Sequence, residues 1–517
     1  MSREKQSRRE FLKVGAVGIT ALGFMKNIKV NAIAFAEPHA ELNEITIVEL
    51  QAKMKSGELS ARRLAEMYLE RIREIDPKLR SVLETNPDAL KIAEESDKER
   101  KRGKVRGMLH GIPVLIKDNI DTADEMKTTA GSFALVDAPV PERDAFVVEK
   151  LRKAGAVIIG KTNLSEWANF RSTKSISGWS GRGGQTNNPY ILDKNPCGSS
   201  AGSGAAISAN LAAVAVGTET NGSIICPATR NGVVGIKPTL GLISRSGIIP
   251  IAHTQDTAGP MARTVADAVI LLGVMVGRDK RDATTAESKK GEKDYTKFLD
   301  KDGLRGARIG VARQFVGNNA KQKEIFESHL EVLKAGGATL IDVTFPVDFS
   351  KLSDDRLQVL LYEFKTDLNK YLAERRSPHK TLADLIKFNE ENKEREMPLF
   401  GQELFLQSQS KGDLTEKAYT DALQKVKRAS QEEGIDAVVA KDKLDAIVSP
   451  AVGATWSTAA VAGYPYITVP AGFADGLPVG FAFFGRAFTE PQLIKFAYAF
   501  EQKTKTRQTP KFLPAFT

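Results

Sequence analysis

Cysteine, histidine and long apolar runs are all scarce in this sequence, and each scarcity removes a class of protein. The 517-residue chain has two cysteines, Cys197 and Cys226. No disulfide framework can therefore hold it together, and both are expected as small core residues, with their pairing left open. Of the five histidines, His39, His110, His253, His329 and His379, none stands in a His-Glu-x-x-His pattern or a His/Cys cluster of metal spacing. That argues against a zinc hydrolase. Beyond residue 36 no stretch approaches 18 uninterrupted apolar residues, so a mature protein without stable membrane insertion is expected. Nucleotide loops are missing as well. Gly198-Ser199-Ser200-Ala201-Gly202-Ser203-Gly204 lacks the Gly-Lys-Ser/Thr ending of a phosphate loop, and Gly202-Ser203-Gly204 has no third glycine at the dinucleotide spacing. No Gly-x-Ser-x-Gly elbow follows an obvious strand in hydrolase order. No cofactor is expected.

What remains is ordinary for a globular enzyme: 42% hydrophobic and 27% charged residues. A chain this long buries a large core without staples. The net charge of +10 is unevenly placed. Residues 1–36 carry Arg3, Lys5, Arg8, Arg9, Lys13, Lys26 and Lys29 against Glu4 and Glu10, which is half of the excess. The rest is thinly spread and no basic block is interleaved with aromatics, so a nucleic-acid partner is not expected.

Those first 36 residues read as an address. Ser7-Arg8-Arg9-Glu10-Phe11-Leu12-Lys13 precedes an apolar run from Val14 to Phe24, and the stretch ends in Ala34-Phe35-Ala36, a small-x-small cleavage pattern. The paired arginines resemble a twin-arginine export signal. The expectation is transient engagement of the twin-arginine machinery, a mature start at Glu37, and a periplasmic or extracellular enzyme. The apolar run is too short to span a bilayer.

The remaining chain, 37–517, reads as α/β: a single large domain with a central mixed, twisted sheet covered by helices on both faces. Ile45 to Ser56 reads as a helix. Ser60 caps a second, with Leu64, Tyr68, Ile72 and Ile75 on one face and Pro77 after it. Gly111 to Lys117 is a buried-strand pattern ending in a charge. Val157 to Gly160, Ala212 to Val216, Arg308 to Ala312, Thr339 to Phe345, Ala446 to Ser449 and Ile467 to Val469 are further strands. Helical stretches fall at Ala145 to Ala154 and Gly204 to Leu211. Residues 275–440 are charge-rich and helical, and are expected to border a cleft as a covering on the core formed by 42–275 and 442–503.

Two loops of small residues carry the chemistry. Pro196-Cys197-Gly198-Ser199-Ser200-Ala201-Gly202 opens a helix. Thr218-Glu219-Thr220-Asn221-Gly222-Ser223 follows a strand. Small side chains let the backbone approach a ligand and leave N–H groups free to hold an oxyanion. A serine at the end of such a nest is placed for attack, though either loop alone reads equally well as a turn. A serine nucleophile needs a base. Lys117, ending an apolar strand before Asp118 and Asn119, supplies one if burial strips its proton. His110, before that strand, and His253, in the Pro250 to Thr254 loop, are rival bases.

Taken in order, these pieces resemble the amidase signature family. The resemblance rests on Gly111-Ile112-Pro113-Val114-Leu115-Ile116-Lys117-Asp118-Asn119, Asn195 to Gly204, Gly217 to Pro227, and Gly232-Val233-Val234-Gly235-Ile236-Lys237-Pro238-Thr239. It continues through Asp256 to Asp267, Ala462-Gly463-Tyr464-Pro465 and Gly476-Leu477-Pro478-Val479-Gly480. It implies the amidase signature fold and a Ser–cis-Ser–Lys triad. Lys117 matches the family lysine, Ser199 the serine after a cis peptide bond, and Ser223 the nucleophile. The backbone N–H groups of Thr220, Asn221, Gly222 and Ser223 would form the oxyanion hole, with Ser200 in support. The implied activity is hydrolysis of carboxylic amides through an acyl-enzyme. The sequence departs from the commoner Asp-x-Gly-Gly-Ser at Glu219 and Asn221, and Cys197 and Ala201 stand where glycines are usual; Asn221 is expected to tolerate a left-handed backbone. The variant Gly-Thr-Glu-Thr-x-Gly-Ser is most similar to the peptide amidase branch, whose members hydrolyse C-terminal peptide amides. Aryl- or fatty-acylamidase activity is the nearest alternative. An amidotransferase subunit would need a cytoplasmic partner, against the export signal.

Overall fold

Two polar caps start the helical lead-in. The Thr46 side chain accepts the Glu49 N–H while the Glu49 carboxylate takes the Thr46 N–H, and this reciprocal cap opens the helix Ile47–Ser56. Ser60 accepts the Arg63 N–H and opens Ala61–Ile75, whose Leu64, Tyr68, Ile72 and Ile75 are buried. The computed structural model describes residues 38–515; the expected export segment, 1–36, lies outside them.

The strands among the described residues are β1 (Val82–Thr85), β2 (Pro113–Lys117), β3 (Val157–Thr162), β4 (Trp179–Ser180), β5 (Gly184–Gln185), β6 (Val214–Glu219), β7 (Val234–Lys237), β8 (Thr257–Ala262), β9 (Arg308–Val311), β10 (Thr339–Asp342), β11 (Ala446–Pro450), β12 (Tyr466–Ala474) and β13 (Leu477–Phe484). β4 and β5 form a separate ribbon. The others build one eleven-stranded sheet in the order β1-β3-β2-β6-β8-β7-β12-β13-β11-β9-β10. Its pairing is mixed. β3, β2 and β6 run parallel, as do β11, β9 and β10, while the central strands are antiparallel. Helices flank the sheet, and residues from 38 onward form one unit. This is the single large α/β domain read from the sequence.

Four sheet strands fall where the hydrophobic pattern marks none: β1, β7, β8 and β13. Glycine and proline interrupt three of them, which weakens a strand signal without forbidding the strand. In β8, Gly259 lies against the neighbouring strand so closely that a Cβ there would sit 2.1 Å from the Ile236 carbonyl oxygen.

The sheet topology fixes the site. β2 and β6 are parallel neighbours, with Ile116 opposite Val216. Their carboxyl ends therefore bring Lys117 beside Thr218, at the edge where open α/β sheets collect ligands. The helix Ser353–Glu374 closes one side. Its Leu361, Phe364, Leu368 and Leu372 pack with Trp167, Phe170 and Phe405, while Asp367, Lys370, Tyr371 and Glu374 line a cavity.

Candidate active site

Lys117 is fully buried at the end of β2. Its Nζ donates to Ser199 Oγ at 2.7 Å and to Thr218 Oγ1 at 2.8 Å. Asn119 Nδ2 donates to the same Thr218 hydroxyl at 3.0 Å. Burial brings the Lys117 pKa down to about 7, against the opposing negative charges of Asp256 and Glu219. Titration alone does not single it out, because burial also brings Lys161 and Lys237 to about 8. Geometry does. Lys161 donates to the Ile120 carbonyl and Thr128 Oγ1, and Lys237 to the Pro238 carbonyl, whereas Lys117 meets a serine hydroxyl at a cavity.

Ser199 is buried, and its bond to Gly198 is cis. The two small-residue loops are laced together behind it. The Ser200 N–H donates to the Ser223 carbonyl at 3.1 Å. Ser200 Oγ donates to the Thr218 carbonyl at 3.0 Å and accepts the Thr218 N–H at 3.2 Å. Ser200 thus bridges both loops.

A further tie corrects the expectation for the cysteines. Cys197 and Cys226 form a disulfide, with Cα atoms 5.8 Å apart, and both are partly exposed. The reason is local. The Cys197 N–H donates to the Asn195 side chain and its φ of 61° turns the loop. The helix Ile225–Arg230, starting two residues after Ser223, sets Cys226 opposite.

The loop that ends in Ser223 has its own supports. The Glu219 carboxylate, buried, accepts the N–H groups of Ile224 at 2.7 Å and Ile225 at 3.0 Å, and the Gly222 N–H also favours its charge. Burial still raises its pKa. The N–H groups of Thr220, Asn221 and Ser223 have no acceptor among the described residues, so three of the four expected donors are free and the fourth is shared with Glu219. The left-handed position is Gly222, φ 82°, and not Asn221. A Cβ on Gly222 would lie 2.4 Å from Trp456 Nε1, so the glycine is required twice over. Asn221 is held instead by its side chain, which accepts the Ser457 hydroxyl at 2.6 Å. Thr220 Oγ1 donates to Asp256 at 2.5 Å, and Asp256 also accepts the N–H groups of Ile251 and Ala252. Burial lifts the Asp256 pKa to about 6 despite these bonds.

A cavity of about 700 Å³ reaches Ser199, Thr218 and Thr220 and opens past Ile249, Ile251 and Tyr371. Its charged walls are largely paired with one another. Arg245 holds Asp282 at 2.5 Å, and the His253 ring is 2.9 Å from Asp367. Burial opposes charge on His253, but the Asp367 hydrogen bond and the Glu363 charge outweigh it and raise its pKa. Among the described residues His253, Glu363 and Asp367 are the one group with ligand-type atoms all within 4.8 Å of one another. Glu363 there already accepts from Thr254 and from the Tyr419 hydroxyl. His110 is buried elsewhere, its Nε2 on the Ser96 carbonyl at 2.9 Å. Neither histidine has a hydrogen bond to Ser199 or Ser223.

Thr218, Asp256, Trp456 and Ser457 take part in this arrangement and were not singled out by sequence. Thr218 opens the second loop, and its hydroxyl was the signal available there. Trp456 and Ser457 lie more than 230 residues downstream and carry no local signal.

A family model for amidases matches residues 63–460. The chain belongs to the amidase family. This amidase is 46% identical to a probable amidase of Arabidopsis thaliana over 91% of its own length and 92% of the relative's. It superposes on the native peptide amidase of Stenotrophomonas maltophilia with a TM-score of 0.87 at 49% identity, over 91% of this chain and 99% of that one. A glutamyl-tRNA(Gln) amidotransferase subunit of Thermoanaerobacter pseudethanolicus is 35% identical over 91% of this chain and 99% of its own. The protein is accordingly a hydrolase of amide bonds with the amidase signature fold. Among the described residues no helix is long and apolar enough to cross a membrane.

Proposed function

We propose that this amidase works through Ser223, Ser199 and Lys117 and acts on C-terminal amides of peptides. The observation that carries the mechanism is the buried contact of Lys117 Nζ with Ser199 Oγ at 2.7 Å, beside a loop whose N–H groups await an acceptor. Ser223 Oγ attacks the amide carbon. Its proton passes to Ser199 Oγ as the Ser199 proton passes to neutral Lys117 Nζ. The carbonyl oxygen becomes an oxyanion, held by the N–H groups of Thr220, Asn221 and Ser223, with Gly222 contributing. Lys117 then returns the proton through Ser199 to the leaving nitrogen, the C–N bond breaks, and an ester to Ser223 remains. Water attacks that ester, giving up its proton to the same relay, and releases the acid. Ser200 keeps the two loops in register.

The peptide-amide substrate rests on the likeness to the Stenotrophomonas enzyme and on the Gly-Thr-Glu-Thr-x-Gly-Ser variant of the loop. A screen of peptide amides, anilides and fatty amides, read by release of ammonia or amine, tests it. Preferential turnover of the peptide amides is expected; preference for anilides or fatty amides would make the enzyme an aryl- or fatty-acylamidase.

We further infer that residues 1–36 export the chain by the twin-arginine route, leaving a mature enzyme from Glu37. The Cys197–Cys226 bridge supports this, because structural disulfides persist in oxidising compartments. Changing Arg8 and Arg9 to Lys should hold the enzyme in the cytoplasm, and unaffected export would remove the reading.

A further inference from the structure

The nucleophile loop has a second cavity behind it. This cavity, of about 380 Å³, is bounded by the Cys197–Cys226 disulfide, Trp456, Val452, Phe326 and Arg230. It includes neither Ser199 nor any other residue of the larger cavity. Its walls are mostly apolar: Phe326 stacks on Phe481 with ring centroids 5.3 Å apart. The size suits a small organic molecule.

Charge in this cavity is one-sided. No Asp or Glu is among its lining residues. Arg230, at the end of the helix Ile225–Arg230, is half-buried. Its guanidinium has no hydrogen bond or ion pair to any described residue. Burial alone lowers its pKa, with no carboxylate opposing. Arg245 of the larger cavity, by contrast, is paired with Asp282. A guanidinium held against apolar walls gains most from an anion with planar, bidentate oxygens, and those walls favour an occupant whose remainder is apolar.

We propose that this cavity is a second binding site, distinct from the one that reaches Ser199, for a small apolar molecule carrying a carboxylate that pairs with Arg230. Its occupant would rest on the disulfide that joins the Ser199 and Ser223 loops, and on the indole that covers Gly222.

The test uses the full mature chain carrying Ser223→Ala, so that binding is read without turnover and independently of the catalytic assignment. 4-Phenylbutyrate is titrated by calorimetry beside its uncharged counterpart 4-phenylbutanol. The acid should bind, and the alcohol should bind about tenfold to a hundredfold more weakly, the factor for one charge-assisted contact. Adding Arg230→Gln should weaken the acid by a similar factor and leave the alcohol unchanged. Ile325→Trp, which fills the cavity from its wall, should abolish both, with an unaltered melting temperature showing that each variant is folded. Undetectable binding of the acid at millimolar concentration would overturn the proposal. So would an affinity that Arg230→Gln leaves intact, because the acid would then sit elsewhere.

Discussion

Lys117 and Ser199 are in hydrogen-bond contact at 2.7 Å although 82 residues separate them, and both are fully buried. Replacing Lys117 by Met should cost roughly a thousandfold or more in kcat/KM, since the serine relay loses its base. Folding should not suffer. In the unfolded chain a lysine keeps its proton to about pH 10.4, whereas in the fold Lys117 loses it above about 7. Between those values unfolding takes up a proton, so this group's effect on stability becomes more favourable as pH rises; at and below pH 7 the cost of burying the ammonium is felt in full. Removing the amine should leave the melting temperature at pH 7 unchanged or higher. Ser223→Ala should abolish turnover in a folded protein, and undiminished activity would sink the nucleophile assignment.

The pH profile follows from the same group. The proposed relay needs neutral Lys117, so kcat/KM should rise as pH increases through about 7 and level off above it. Asp256→Asn removes one of the two negative charges that favour the ammonium. The rising limb should therefore move to lower pH. The same change weakens the acceptor of the Thr220 hydroxyl, so the plateau should fall as well. A limb that stays in place would separate Asp256 from the base.

Histidine offers a contrast. Alanine at His110 should leave the pH limb untouched, because its ring serves the Ser96 carbonyl. Alanine at His253 should alter KM more than kcat, because His253 lines the cavity beside Asp367 and has no hydrogen bond to either serine. Steady-state kinetics of the two variants checks both statements. A thousandfold loss of kcat in either would reinstate a histidine base.

Much of the candidate site is legible because the proposed chemistry uses short segments with distinctive residues. A strand of buried residues ending in lysine is unusual on its own terms, and two glycine- and serine-bearing loops 24 residues apart are more so. The cysteines were misread for a physical reason. Spacing along a chain does not report which side chains face each other, and 29 residues are compatible with either outcome. Asn221 shows the same limit. Its residue type suited a left-handed turn, but the turn fell one residue later, and a serine far down the chain took the amide. The strands β7, β8 and β13 were hidden because glycine and proline sit where the sheet demands close backbone contact. The cavity walls were invisible because helix and sheet supply them from opposite ends of the sequence.

The disulfide makes a quantitative statement. It closes a loop of 29 residues, for which chain entropy predicts a stabilisation of about 3.6 kcal/mol. Cys197→Ser with Cys226→Ser should lower the free energy of unfolding by roughly that amount in a urea titration. A mutant as stable as the parent would mean that the hydrogen bonds of Ser200 suffice to join the loops.

Glu219 is the remaining support. A glutamine keeps one acceptor oxygen for Ile224 and Ile225 but presents an amide where the second oxygen stood. Burial already disfavours the Glu219 charge on balance, so neutralising it should change stability by about 1 kcal/mol or less, as read by urea denaturation. It should also shift the acid limb of the activity profile downward, in the same sense as Asp256→Asn, because Glu219 is the other charge favouring protonated Lys117.

The contact between Ser457 and Asn221 spans 236 residues, and Trp456 reaches back to cover Gly222 across a similar distance. A nascent chain leaves the ribosome amino terminus first. When Lys117, Ser199 and Ser223 have all emerged, the residues that brace the oxyanion loop are still untranslated. The enzyme therefore comes into being late in its own synthesis, and a prematurely terminated chain would carry the whole proposed triad without a finished site in which to use it.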